Sequence, residues 1–358
     1  MSATDLTPLK TSTPLPHAKP DRGGPAQPLL IVKDLQKHFP VRGGLFGRTQ
    51  AKVQAVDGVS FEVKKGETLG IVGESGCGKS TTAKLLIGLT EKDKGEIIFD
   101  GTALGQQLSI KDLRKDVQMV FQDSYATLNP RLTILDSVAF GAKVQGLSDP
   151  DDLARKMMDR VGLDPNRFAH RYPHELSGGQ RQRVNIARAL AMSPRLVVLD
   201  EAVSALDKSV EAQVLNLLND LRAEFGLTYI FISHDLNVVR YISDRILVMY
   251  LGEVVEIAPV DRIWKEQAHP YTQSLFSAMP SMDPDNRTKK PPLLGDPPNP
   301  INPPSGCRFH TRCRFASEVC KTSAPRLAEF DATADHLVAC HLHDPTSGHP
   351  KAGQGIPS

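Results

Sequence analysis

The residues with the clearest chemistry run from Gly73 to Thr81. Gly73, Glu74, Ser75, Gly76, Cys77, Gly78, Lys79 and Ser80 fit G-x-x-x-x-G-K-S, and Thr81 opens a helical run. Glycines let a backbone curl until its N–H groups face a polyphosphate, and a helix N-terminus adds its positive end to the same anion. Lys79 would reach the β- and γ-phosphates of a nucleotide, and Ser80 would lend a hydroxyl to Mg²⁺. Cys77 fills a position open to any small residue. A carboxylate pair, Asp200-Glu201, ends the apolar run Leu196–Leu199, which reads as a strand buried on both faces. In open α/β sheets ligands bind at the carboxyl ends of strands. Asp200 is therefore expected to hold Mg²⁺ and Glu201 to polarise an attacking water. Tyr229–Ile232 delivers Ser233-His234 by the same geometry, which makes His234 a candidate γ-phosphate contact. Leu176, Ser177, Gly178, Gly179 and Gln180 precede the helical run Arg181–Ala191 and read as a second anion site.

These residues need an α/β scaffold. Leu29–Lys33, Ala55–Val63, Thr68–Val72, Leu196–Leu199 and Thr228–Ile232 read as strands. Thr81–Leu89, Asp151–Val161 and Glu211–Phe225 read as helices with one apolar face. Strands alternating with helices predict a largely parallel sheet. At 358 residues the chain has length for about two domains. Residues 1–27 are Pro-, Thr- and Lys-rich and read as a disordered leader. Past Trp264 the composition shifts to a proline-dense stretch, Pro280–Pro304, and then to four cysteines; residues 344–358 read as a flexible tail. A net charge of +2 argues against a dedicated nucleic-acid binder. No apolar window is long enough to span a bilayer, and there is no signal-peptide core. A cytosolic location follows, in which disulfides are not expected.

Leu176–Gln180, followed by Leu199-Asp200-Glu201-Ala202-Val203-Ser204-Ala205-Leu206-Asp207, resembles the ATP-binding cassette (ABC) ATPases. The resemblance implies a P-loop cassette over 28–264, with ATP and Mg²⁺ as cofactors. It also implies that two cassettes pack head to tail, so that Leu176, Ser177, Gly178, Gly179 and Gln180 serve the neighbour's ATP. Gln122 looks like the glutamine that touches Mg²⁺ and senses a membrane partner. Asp207 looks like the loop aspartate facing the other cassette, and His234 like the switch histidine. Phe39, placed after the first strand, looks like the aromatic that stacks on adenine. The segment Asp123–Arg131 resembles the permease-contact region.

Residues 265–343 narrow the resemblance. His269-Pro270-Tyr271-Thr272, Gly295–Pro300 and Pro303–Cys307 are similar to the C-terminal extension of dipeptide/oligopeptide importer ATPases, of the "F" type. Relatives with this extension also serve nickel or other small solutes. A soluble cassette protein would usually carry two cassettes or large insertions. The implied partners are a second ATPase subunit, expected to be a paralogue, two membrane permeases and an extracytoplasmic peptide-binding protein, with no nucleic acid. The implied location is the cytoplasmic face of the inner membrane. Cys307, Cys313, Cys320 and Cys340 are soft ligands that suit zinc or an iron–sulfur cluster. Their gaps are wider than usual zinc pairs and unlike the tight runs of ferredoxins. The family resemblance implies a [4Fe–4S] cluster, with Zn²⁺ as the alternative, bracing a module too small to hold itself by a hydrophobic core. Arg308, His310, Arg312 and Arg314 could donate hydrogen bonds or be solvated, and are not expected to be ligands.

Overall fold

A computed structural model describes Leu15, Asp21, Gly24 and residues 26–43, 48–279, 296, 298–331 and 335–353. Most of the expected leader, most of the proline-dense stretch and residues 354–358 lie outside the described residues. The strands are β1 (Leu30–Gly43), β2 (Arg48–Val63), β3 (Thr68–Val72), β4 (Lys94–Phe99), β5 (Thr102–Ala103), β6 (Val117–Val120), β7 (Leu196–Asp200), β8 (Thr228–Ile232), β9 (Arg245–Tyr250), β10 (Glu253–Pro259), β11 (Ala328–Glu329) and β12 (Leu337–Val338). The helices are α1 (Lys79–Leu86), α2 (Ile110–Asp116), α3 (Ile134–Gln145), α4 (Pro150–Arg160), α5 (Pro165–Phe168), α6 (Gly178–Leu190), α7 (Lys208–Phe225), α8 (Leu236–Ile242), α9 (Val260–Lys265), α10 (Pro270–Ser277) and α11 (Glu318–Thr322).

The chain divides into two compact units, 1–24 with 114–229 and 25–113 with 230–358. In the second unit an antiparallel sheet has the order β2-β1-β4-β5. Beside it in sequence, β3 pairs parallel with β9, β9 antiparallel with β10, and β10 with β12 and then β11. All five residues of β3 are buried, so its run Thr-Leu-Gly-Ile-Val can be apolar on both faces. Gly70 is small because a Cβ there would stand 2.5 Å from Val239 of α8. β1 is longer than its apolar start suggests. It continues to Gly43 because it pairs with β2 through several register shifts. Phe39 therefore lies within β1 and not after it.

In the first unit β6 and β7 pair parallel, and all of β7 is buried. Gly146 closes α3 and Gly226 closes α7 in the left-handed conformation that lets a helix stop. β8 begins in this unit, where Thr228 N donates to Arg195 O, and ends in the other, where Ser233 N donates to Ile71 O.

The C-terminal extension joins the second unit through a buried carboxylate. Glu256 of β10 is fully buried. It accepts from Ala268 N at 2.8 Å, His269 N at 3.0 Å and His336 Nε2 at 2.8 Å. The tail is also not free as far as Gly353. His349 is buried and its Nε2 lies 2.9 Å from Phe315 O. Glu256→Ala strands three buried donors, which typically costs about 3–5 kcal/mol. Urea denaturation should show a loss of that order; a shift no larger than a surface substitution gives would show that the carboxylate is not the anchor.

Candidate nucleotide site

The phosphate loop leaves β3 at Gly73. That residue has φ +151, and a Cβ there would stand 2.2 Å from Met249 O and 2.7 Å from Cys77 Sγ. Gly78 has φ +109 and would meet Ala55 O at 2.2 Å. Only glycine fits either place. Lys79 is buried, and its Nζ donates to Gly73 O at 2.7 Å and Glu74 O at 3.0 Å. α1 starts at Lys79, two residues earlier than the apolar pattern suggests, so Lys79 and Ser80 both stand in its first turn. Thr82 Oγ1 donates back to Gly78 O at 3.1 Å. Ser80 and Thr81 are half-buried, and Ser75 and Gly76 are exposed at the tip. Cys77 is buried, which raises its thiol pKa. Phe39 is 38% exposed, with Lys37 Nζ 5.5 Å from its ring centroid. His234, exposed, follows β8 in the same unit.

The other unit carries the carboxylates. Asp200, buried, is the last residue of β7, and Glu201 follows at φ +47. That left-handed backbone is uncommon outside glycine and clusters at functional sites. Gln122 Nε2 donates to Glu201 Oε2 at 2.8 Å. Two residues singled out separately in the sequence are thus in direct contact.

The second anion site differs from its sequence reading. Gly178, Gly179 and Gln180 do not precede the helix; they form its first turn. Ser177 is the N-cap. Its Oγ accepts from Gln180 N at 3.3 Å, and Gln180 Oε1 accepts from Ser177 N at 3.0 Å. The propensity reading missed this because two glycines look like a loop, whereas the reciprocal cap and tertiary packing stabilise the turn. Leu176 is buried beneath it. Asp207 caps α7, with Oδ1 accepting from Val210 N at 3.0 Å. α6 also grips the segment after Gln122. Asn185 Nδ2 donates to Ser124 O at 3.1 Å, Arg188 Nη1 to Thr127 O at 2.6 Å, and Arg181 lies 5.4 Å from the centre of the Tyr125 ring.

None of the five cysteines is in a disulfide. Cys307, Cys313, Cys320 and Cys340 line one cavity with His269, Phe309 and Phe315. Burial pushes the Cys307 thiol up to about 12 and also raises Cys313 and Cys340. Among the described residues, no three His, Cys, Asp or Glu side chains stand close enough to hold one metal ion. Of the two readings left open for Arg308 and Arg312, hydrogen-bond donation is the one the structure shows, but their partners, and Tyr271, were not foreseen. The signal was available in the two arginines four residues apart inside the Cys307–Cys313 interval. They sit in partly buried ion pairs with Asp57, Glu253 and Glu74.

The ABC transporter family model matches residues 56–204, and that of the oligopeptide/dipeptide transporter C-terminal region matches 255–320. The chain is 48% identical over 323 residues to the oligopeptide transport ATP-binding protein AppF of Bacillus subtilis, covering 88% of this chain and 97% of the relative. It is 48% identical over 327 residues to the oligopeptide transport ATP-binding protein OppF of Salmonella typhimurium, with 88% and 97% covered. Among solved structures, cbiO1 of Clostridium perfringens, part of the ABC transporter complex cbiONQ, matches at TM-score 0.58 and 28% identity, over 67% of this chain and 92% of the other. The ATP-binding cassette MJ0796 bound to ADP and Pi matches at TM-score 0.55 and 30% identity, over 64% and 98%. The chain belongs to the ABC transporter ATPases, in the branch that carries the oligopeptide/dipeptide transporter C-terminal region. It is accordingly an ATP-hydrolysing subunit that works on ATP with Mg²⁺.

The two signature glycines differ in what they meet inside the chain. A Cβ at Gly179 would stand 2.4 Å from Val210 Cγ1, whereas one at Gly178 meets only Leu206 Cδ2 at 3.8 Å. Gly179→Ala should cost about 1–3 kcal/mol by overpacking α6 against α7. Gly178→Ala should leave the melting temperature unchanged or slightly raised. Equal thermal losses in both would contradict that packing.

Proposed function

We propose that the chain energises import of oligopeptides or dipeptides through a membrane ABC transporter, as one of two ATPase subunits. The observation that supports this most is that one chain matches both the ABC transporter and the oligopeptide/dipeptide transporter C-terminal family models and is 48% identical, over 88% of its length, to an oligopeptide transport ATP-binding protein. The cassette spans 28–264 and the extension 265–343. The second ATPase is a paralogue. The further partners are two permeases and an extracytoplasmic peptide-binding protein, and the chain sits peripherally on the cytoplasmic face. The exposed Tyr125, Phe140 and Val144 of the first unit support a docking role for the region around Asp123–Arg131.

The residues divide the work. Gly73 to Thr81 cradle the triphosphate with backbone N–H groups, and Lys79 neutralises its terminal charge. Phe39 stacks on adenine. Ser80, Gln122 and Asp200 hold Mg²⁺, which when bound neutralises charge on the phosphates. Glu201 accepts the proton of the attacking water, and Gln122, bonded to it, reports whether the membrane partner is engaged. His234 contacts the γ-phosphate. Ser177, Gly178 and Gly179 offer a capped helix N-terminus to the neighbour's ATP, and Asp207 faces that neighbour. Glu201→Gln keeps size and ATP binding but removes the base, so turnover in the assembled transporter should fall by about 10²–10⁴. Turnover near the parent rate would remove Glu201 from that role.

Cys307, Cys313, Cys320 and Cys340 hold a [4Fe–4S] cluster. The donor chemistry supports this: the four cysteines line one cavity, and thiolates are soft ligands suited to iron–sulfur clusters. When bound, the cluster would supply a structural brace for the small module. Protein purified without oxygen should be brown and hold about four irons per chain. Colourless protein with one zinc would replace the cluster, and metal-free protein with an unchanged fold would exclude both.

A further inference from the structure

The loop from Cys307 to Cys313 has two chemically different faces. Its thiols line the cavity, while Arg308 and Arg312 extend into the cassette part of the same unit. Arg312 meets Glu74 as a fork, Nη1 to Oε2 at 2.8 Å and Nη2 to Oε1 at 3.1 Å. The Arg312 side chain is 5% exposed and that of Glu74 21%. Nη1 also donates to the Tyr250 hydroxyl at 3.3 Å. Glu74 is the first residue of the phosphate loop after Gly73. Its N–H donates to Tyr271 Oη at 2.9 Å, and its carbonyl accepts from Lys79 Nζ at 3.0 Å. The side chain, N–H and carbonyl of one loop residue are therefore all engaged, two of them by the extension.

Arg308 holds the other end of the loop indirectly. It donates to Leu251 O, to Gln54 Oε1 at 2.8 Å and to the Asp57 carboxylate, and its Nε lies 2.8 Å from Glu253 Oε1. The next residue after Leu251, Gly252, donates its N–H to Cys77 O at 2.8 Å. Both Glu74 and Cys77 are thus restrained from the cysteine-bearing loop.

We propose that Arg312 is a positioning residue for the nucleotide: by locking Glu74 it sets the curl of Gly73–Cys77 and the placement of Lys79, so the C-terminal extension tunes ATP affinity. The physical basis is preorganisation. A loop that already holds its bound shape loses less conformational freedom when the phosphates arrive. Lysine cannot reproduce the fork, because its ammonium is a point charge. The inference rests on the ATP site and not on which metal fills the thiol cavity.

The test measures Mg·ATP dissociation constants by calorimetry and melting temperatures on the full chain. Arg312→Ala should weaken ATP about tenfold. Glu74→Gln should do about the same, and the double variant should be no worse than either, since both break one interaction. Arg312→Lys should recover part of the loss, and Arg314→Ala, whose side chain points to Gln273, should bind as the parent does. Hydrogen exchange at residues 73–77 should quicken in Arg312→Ala. If Arg312→Ala melts earlier yet binds ATP like the parent, or if the two losses add, the proposal fails. If Arg312→Ala does not fold, Arg312→Lys and Glu74→Gln decide it. Lys79→Ala is the control for the premise: unchanged ATP binding there would overturn the nucleotide site itself.

Discussion

The turn from β3 into α1 is the constraint on which the second unit depends. The strand is buried on every residue, so it must end abruptly, and the backbone must curl in a space walled by other backbone atoms. Met249 O and Ala55 O stand where side chains would be at Gly73 and Gly78. Those carbonyls belong to β9 and β2, so the loop's shape is enforced by two separate strands and not by the loop's own sequence alone. Gly252 adds a third restraint through Cys77 O. A loop so enclosed can present a row of N–H groups to an anion with little reorganisation, which is where electrostatic preorganisation is strongest.

In the first unit the corresponding node is α6. Its first turn carries the signature, its middle holds the segment after Gln122 through Asn185 and Arg188, and its glycine face packs against Val210 of α7. One helix therefore ties the proposed anion-binding end to the segment proposed to meet a permease. A 13-residue helix with a reciprocal cap is suited to move as a body. Glu201 lies at a strained backbone position and is bonded to Gln122, so a shift of that segment is felt at its carboxylate, the proposed base.

The extension is small and has little apolar core of its own. It compensates with polar anchors: fully buried Glu256 caging three donors, and Arg308 and Arg312 in partly buried ion pairs. Such pairs are a weak source of net stability but are strongly directional. They define where the module sits, while its Tyr271 and Phe309 pack with Tyr250 of β9 to fill the space between.

The candidate motifs were legible in the sequence because they are short and contiguous, with spacing set by the backbone. Gly73–Thr81 and Asp200-Glu201 could be located on a glycine curl and a strand end because those are local events, whereas the cap that makes Gly178–Gln180 helical was not. The buried strands were legible for the same reason, their apolar runs being continuous. Helix and strand boundaries were less so: α6 begins at Gly178 and β1 runs past Phe39 because a cap and a partner strand outweigh propensity. What only the tertiary structure decided are the pairings between residues far apart in the chain. Gln122 meets Glu201 across 79 residues, and Arg312 meets Glu74 across 238. No periodicity encodes such partners, because a charge in a sequence reads as solvated until folding removes the water around it and leaves one counter-charge within reach.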